Sequence, residues 1–507
     1  MRDIRSRRAV IEREECGRHP LPGDLTMGVS DILQIGVTAL YAQKTALSVT
    51  GENIANVNTT GYSKQTVNLE PGRTNLVNGF PVGSGVQVGS ISRAYDNFLQ
   101  QQLVSANSSN GGYNTQQTAL QRVQQLFNEF STNGLGTDLN SFFNAWQDLA
   151  NNPSGQAERQ AVLAKGQAVV SDFHQMNSSL TQVQSDANQS LQGETSNIND
   201  DLKQIANLND QISQLEFQGG TANEMRDSRD QLLQDLAGKV GITSRENANG
   251  TVTVTLPQGA TLVDGNRAAT FSLKADPANA GFYGVMLTPP GATDPQDVTS
   301  ILSGSGANQG EIGATLQVRD SLVKPSLDGL DELASNLATQ VNSLHATGFD
   351  LSGATGVNFF TPPSGSATLT PGYSSLIDLN ITSGDQIAAA ASNPTLAGNG
   401  TGDNVNALGI ANLANASIPM SGGDSTLDGF YNTLVAKSGV AVQSAQQGAT
   451  QSQSSITQLQ QMRDSASGVS LDEELTNLMT YQKAYEGAAK VITTGTEMLD
   501  TVLGLIK

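Results

Sequence analysis

Apolar residues recur with a 4-3 spacing near both ends of this 507-residue chain, and such spacing predicts long helices whose seams seek a partner helix. Toward the C-terminus the series is Leu471, Leu475, Leu478, Gln482, Tyr485, Ala489, Ile492, Thr496, Leu499, Leu503 and Ile506, broken at Gln482 and Thr496. Ser470 and Glu473 follow Gly468 in an S-x-x-E pattern, which predicts a capped start. At about 1.5 Å per residue the helix would be roughly 55 Å long. Toward the N-terminus Ile32, Ile35, Ala39, Ala42, Ala46 and Val49 keep the same spacing. Two end-helices that pair in a coiled-coil-like domain point to a protein that assembles, not to a catalyst.

Between the ends, residues 95–217 carry helical spacing in a Gln-, Asn-, Ser-, Ala- and Leu-rich sequence, punctuated by Asn133-Gly134 and by Asn152-Pro153-Ser154-Gly155. Leu139, Phe142, Phe143, Trp146 and Leu149 form an apolar stripe there that reads as core. The character changes after Gly241. Residues 251–256 alternate with period two after Asn249-Gly250, and residues 261–266 repeat the strand-and-turn signal. Helical spacing returns over 313–345 and 427–461, with a loop-rich stretch between. The expectation is a mainly α chain with β-rich insertions, an elongated multidomain rod. A terminal helical domain would use residues 27–65 and 465–507. A helical domain would use 66–240, 310–350 and 425–464, and a β-rich or loop-rich part 241–309 and 351–424.

Composition narrows the functions. The chain has a net charge of −20 and a pI of about 4.5, which argues against nucleic acid or an anionic membrane as partner, since phosphate recognition relies on Lys and Arg. Apolar stretches fall well short of the roughly 18 residues a membrane-spanning helix needs. Residues 1–26 differ from the rest, with six arginines and the chain's one cysteine, Cys16. They lack the apolar run of a signal peptide and read as a disordered extension or a misassigned start. No thiol chemistry is available to the rest of the chain. Three histidines, His19, His174 and His345, are too dispersed for a zinc motif, and no phosphate-binding or calcium-loop pattern occurs. His345 reads as a packed, hydrogen-bonded residue. No catalytic, metal or cofactor residues are assigned.

Two motifs carry a family resemblance. After the first helix the chain reads Asn53-Ile54-Ala55-Asn56-Val57-Asn58-Thr59-Thr60-Gly61-Tyr62. Asn56 and Asn58 tolerate left-handed backbone and bond local main chain, Gly61 supplies a turn, and Tyr62 anchors the chain after it. This resembles the N-I-A-N-x-N-T-x-G-Y signature of bacterial flagellar rod, hook and hook-associated axial proteins, with Thr60 where many relatives carry proline. The ending, Ser467-Gly468-Val469-Ser470-Leu471-Asp472-Glu473-Glu474 with Tyr481-Gln482-Lys483-Ala484-Tyr485, resembles the hook-associated protein 1 family of hook-filament junction proteins. Asn209 to Gln218, the run Arg226-Asp227-Ser228-Arg229-Asp230, the V-N-x-x-H stretch ending at His345, and Gly402-Asp403-Asn404-Val405-Asn406-Ala407-Leu408 are similar to that family's interior segments.

The resemblance implies a secreted, non-enzymatic flagellar protein, exported by the type III apparatus and assembled as a ring between hook and filament. Its implied partners are further copies of itself, the hook protein, the next hook-associated protein, and an export chaperone on the C-terminal helix at Tyr485, Ile492, Leu499 and Leu503. The terminal helices would line the axial core, with the two apolar series as assembly interface. The alternatives are another axial protein, hook or rod, and a secreted adhesin or hydrolase with coiled-coil ends, which would need a constellation of reactive residues that the region 241–419 does not show.

Overall fold

The computed structural model describes residues 24–77, 80–127, 134–304, 310–363, 371–397 and 399–505. In chain order the helices are α1 (Asp24–Ala55), α2 (Asn97–Leu126), α3 (Leu135–Asn151), α4 (Gln156–Phe217), α5 (Asn223–Lys239), α6 (Thr299–Leu302), α7 (Gly310–Gln317), α8 (Lys324–His345), α9 (Val405–Ala411), α10 (Leu427–Ser467) and α11 (Leu471–Leu505). The strands are β1 (Gln65–Pro71), β2 (Thr74–Val77), β3 (Phe80–Gly83), β4 (Val86–Arg93), β5 (Thr243–Glu246), β6 (Val252–Thr255), β7 (Thr261–Asp264), β8 (Arg267–Ala268), β9 (Thr270–Ala275), β10 (Tyr283–Thr288), β11 (Gln296–Asp297), β12 (Ile418–Met420) and β13 (Gly423–Ser425). The chain is thus mainly α with β insertions. Most of the atypical N-terminal segment, residues 1–23, lies outside the described residues, and α1 begins within its last residues, at Asp24.

Two compact units result. One is formed by the described residues up to Asp96 together with those from Asp464 onward, the other by the described residues of Asn97–Arg463. The expected place of residues 66–94 in the helical domain is corrected. They form β1 to β4 of the first unit, because alternating residues such as Val67, Val86, Val88 and Ile91 suit a two-stranded ribbon. β1 pairs antiparallel with β4 from Gln65↔Arg93 to Pro71↔Val86 with a bulge between Asn68 and Leu69, and β2 pairs with β3. The second unit also joins helical and β-rich segments that the sequence pattern separates.

Within that second unit, the 62-residue α4 is the common wall. Its first half carries Val162, Val169, Phe173, Met176 and Leu180 into a core shared with α3, α8 and α9. There Phe142, Trp146, Phe359 and Phe360 are fully buried or nearly so, their rings meeting at tilted or edge-on angles. The stripe of α3 is therefore core, as its spacing predicts. The second half of α4 places Leu191, Ile198, Leu202 and Ile205 in another core. Here α5 and α7 pack with the antiparallel sheets β5-β6-β7-β8 and β11-β10-β9.

Asparagines fasten helices to extended chain by one repeated device. The side-chain amide of Asn199 donates to Phe271 O at 2.8 Å and accepts Phe271 N–H at 2.7 Å. Asn209 does the same with Val252, and Asn342 with Phe360. An amide that meets both main-chain groups of one residue acts as a short neighbouring strand, satisfying backbone that burial would leave unpaired. Buried Arg159 works similarly, donating to the carbonyls of Pro153, Gly384 and Ile387.

Candidate functional site: the terminal helix pair

In the first unit α1 and α11 pack side by side, and three contacts fix them as antiparallel. Asn53 meets Glu474, Gly36 lies against Ile492, and Leu33 lies against Gly495; following α1 backward moves along α11 forward. Closeness comes from missing side chains. A Cβ on Gly36 would stand 2.6 Å from Ile492 Cγ1, and one on Gly495 would stand 2.9 Å from Leu33 Cδ2. Gly36→Leu is therefore expected to force the helices apart at a cost of about 1–3 kcal/mol, typical of overpacking. Faster amide exchange across residues 42–49, with the exchange of α4 unchanged, would report it; unchanged exchange in both would contradict the close approach.

The structure sorts the expected seam residues. On α1, Ala42, Ala46 and Val49 are buried, and Ile32, Ile35 and Ala39 half-buried. On α11, Leu478, Ala489, Ile492 and Leu499 are half-buried. Leu471 (46% exposed), Leu475 (49%), Tyr485 (39%) and Leu503 (55%) are not covered by α1, and Ile506 lies outside the described residues. Beside Ile492, which meets Gly36, the better covered positions of α11 include Glu474, Tyr481, Ala488, Gly495 and Val502, each one residue before a member of the expected series. The physical reason is that the close approach at Gly36 and Gly495 sets the rotation of α11, whereas the apolar count follows the large residues. No sequence signal but glycine within a helix pointed to Gly36 and Gly495.

A polar knot closes one end of the pair. Asn53 is 1% exposed and makes all four hydrogen bonds its amide allows. Nδ2 donates to Gln65 O (2.9 Å) and Glu474 Oε2 (3.0 Å), while Oδ1 accepts from Gln65 N (3.0 Å) and from Tyr62 Oη (2.9 Å). The device seen at Asn199 thus also joins α1 to the start of β1. Tyr62 is the anchor its position predicts. Gly61 adopts φ 89°, but Asn56 and Asn58 do not have positive φ, correcting that expectation. Asn56 bonds locally, donating to Glu52 O and accepting from Thr59 Oγ1, and Asn58 is exposed.

Charge completes the knot. Lys64 Nζ binds Glu473 and stands 3.7 Å from Glu474 Oε1, whose side chain is 2% exposed. The hydrogen bond to Glu473 raises the Lys64 pKa and lowers that of Glu473. Glu473, expected to cap α11 through Ser470, thus pairs with Lys64, while Ser470 O accepts the first helical bond from Glu474 N at 2.9 Å. Lys64 N–H also donates to Ser467 O at 2.8 Å, so the chain entering β1 is tied to the segment just before α11.

This arrangement holds helices; it positions no reacting group. Among the described residues no group of three or more His, Cys, Asp or Glu side chains could hold a metal ion. None of the described helices is long and apolar enough to cross a membrane. His345 is buried in the second unit beside Trp146 and Phe359. Its Nδ1 donates to Val357 O (2.7 Å) and its Nε2 accepts Ala388 N–H (3.0 Å), and burial pushes its pKa down to about 4. It is a neutral fastener, as its sequence context predicts.

An antiparallel pair of terminal helices, fastened by a polar knot and presenting apolar residues along its outer face, defines a structural axial protein, and comparison with known proteins agrees. Residues 33–62 match the flagella basal body rod protein family, 460–505 the flagellar basal body rod FlgEFG protein C-terminal family, and 120–360 the flagellar hook-associated protein FlgK helical domain. Flagellar hook-associated protein 1 of Bacillus subtilis (strain 168) is 32% identical, covering 93% of this chain and 97% of that protein. The Salmonella typhimurium protein of the same name is 26% identical over 94% of this chain and all of its own length. The solved flagellar hook junction protein FlgK from Burkholderia pseudomallei shares the fold, with a TM-score of 0.63 at 18% identity over 72% of this chain and all of that one. The chain belongs to the flagellar hook-associated protein 1 family. It is a structural component of the bacterial flagellum at the hook-filament junction, among other flagellar axial proteins.

Proposed function

We propose that the chain assembles with copies of itself into a ring that adapts hook to filament, contacting the hook protein on one side and the next hook-associated protein on the other, with no catalytic role. The supporting observation is the division of α11 into two faces. Glu474, Ile492 and Gly495 meet α1, while Leu471, Leu475, Tyr485 and Leu503 remain exposed within the single chain and are free to meet neighbouring subunits. Exposed apolar area of this kind marks interaction surfaces. In this reading residues 27–65 and 465–507 form the axial core and the apolar series of both helices its interfaces. Before assembly an export chaperone covers Tyr485, Ile492, Leu499 and Leu503. Because Ile492 and Leu499 are half covered by α1, the chaperone-bound form holds α11 apart from α1.

Leu499→Asp tests both roles, since an unpaired carboxylate in an apolar interface costs several kcal/mol. The purified variant is expected to bind chaperone at least tenfold more weakly. Added from outside to hooks lacking the junction, it should fail to restore filament growth, while the unfolding of the second unit, followed by Trp146 fluorescence, stays unchanged. Restoration at the wild-type level would overturn the assignment of α11 as the assembly helix; external addition separates this from a failure of export.

A further inference from the structure

Far from the terminal motifs, α2, α4 and α7 wall a cavity of about 400 Å3 in the second unit. Glu194 of α4 lines it and is 8% exposed. Its Oε1 accepts hydrogen bonds from Thr315 Oγ1 (2.8 Å) and Ser190 Oγ (3.0 Å). Its Oε2 is buried and has no hydrogen-bond partner among the described residues. A buried carboxylate oxygen in this state calls for a donor.

Of the donors lining the cavity, Arg122 is engaged by Asp186 and Asn114 Nδ2 by Asn110 Oδ1, and the remaining charge is negative. Glu311 of α7 lines the same cavity, close enough that its charge further disfavours ionisation of Glu194. The hydroxyls of Thr115 and Thr118 donate to Gly111 O (2.9 Å) and Asn114 O (2.8 Å), so each can offer a ligand an acceptor lone pair. At the rim Asp186 is already matched by Arg122, at 2.6 Å. The uncompensated charge is therefore that of Glu194 and Glu311. Two carboxylates do not form a closed protein chelate, and no three-ligand cluster occurs among the described residues. Ala119, Val183 and Val318 add apolar wall, suited to methylene groups. A cation with several N–H donors on an alkyl stem satisfies all of these features.

We propose that this cavity binds a primary alkylammonium group, its nitrogen donating to Glu194 and Glu311. The group could come from a free diamine or from a lysine side chain of another protein. Calorimetry on the full chain at pH 8 tests it with 1,5-diaminopentane and with Nα-acetyl-lysine methylamide, against tetramethylammonium and magnesium chloride. Saturable binding of the diamine is expected, weakened at least tenfold by Glu194→Gln and severalfold by Glu311→Gln, with no displacement by tetramethylammonium, which lacks N–H donors. Equal binding of the lysine derivative would assign the site to a side chain, and binding of the diamine alone to a free amine. In Glu194→Gln the new side-chain carbonyl still accepts from Thr315 and Ser190, and unchanged Trp146 fluorescence certifies the fold. No saturable binding of either amine, wild-type affinity in Glu194→Gln, displacement by tetramethylammonium, or binding of magnesium alone would each overturn the proposal.

Discussion

Asn53→Leu is expected to cost the terminal unit about 3–5 kcal/mol, since four hydrogen bonds worth about 1 kcal/mol each are lost and a buried carboxylate oxygen loses its donor. Leucine fills nearly the same volume, so packing changes little and the loss is polar. Four hydrogen bonds disappear together. Glu474, 1% exposed, would then keep one carboxylate oxygen against methyl groups, with Lys64 3.7 Å from the other. Glu474→Gln is the informative contrast. Its carbonyl can still accept from Asn53 Nδ2, so it forfeits one charge-assisted bond, worth about 1.5–3 kcal/mol at most. Hydrogen exchange at the Gln65 amide reads the difference directly, because that N–H donates to Asn53 Oδ1. Protection there should collapse in Asn53→Leu and largely persist in Glu474→Gln. Wild-type protection of Gln65 in Asn53→Leu, or equal loss in both variants, would show that the knot does not hold α1, β1 and α11 together.

The same residues show how far the sequence could be read. The long helices and the strands over 251–256 and 261–266 announced themselves by period, and the apolar stripe of α3 became core as its 3.6-residue spacing predicts. The seam of α11 was harder. Its series was interrupted at Gln482 and Thr496, and at the second of these turns the structure sets Gly495 against Leu33 of α1 instead. Apolar periodicity measures which face is greasy, whereas the rotation of a close helix pair depends on where a small residue lets the backbones approach; on α11 the two series are offset by one residue. Four of the larger residues, Leu471, Leu475, Tyr485 and Leu503, stay exposed in the single chain. The N-terminal motif was legible as a turn, but Asn53 was not legible as its centre. Its role depends on Glu474, 421 positions away in sequence, and no local pattern records a partner so distant. The ribbon of β1 to β4 was missed because polar residues between its apolar ones resemble the surrounding loops. Glu194 gave no signal at all in a helix rich in polar side chains.

The stability of the second unit is expected to be nearly flat between pH 4.5 and 6.5, and single substitutions should reveal that two steep dependences cancel there. His345 is fully buried, with its pKa lowered to about 4 by burial; Asp350 opposes that shift and Arg159 adds to it. The unfolded chain binds this proton near pH 6.5 and the folded one only near 4, so His345 makes stability fall as pH drops through that window. Glu194 behaves oppositely. Burial and the charge of Glu311 raise its pKa to about 7, so the folded chain holds a proton that the unfolded chain has lost, and stability falls as pH rises from about 4.5 to 7. Each shift corresponds to roughly 3 kcal/mol at about 1.4 kcal/mol per pH unit. Glu194→Gln should therefore unmask a stability that climbs by about 1.4 kcal/mol per unit from roughly pH 4.5 to 6.5, and His345→Gln one that declines with similar slope, whatever its constant cost from altered packing. Trp146, the chain's one tryptophan, lies buried beside His345, so urea titrations followed by its fluorescence report on this unit. Parallel pH profiles for wild type and both variants would show that neither group titrates across folding as its surroundings require.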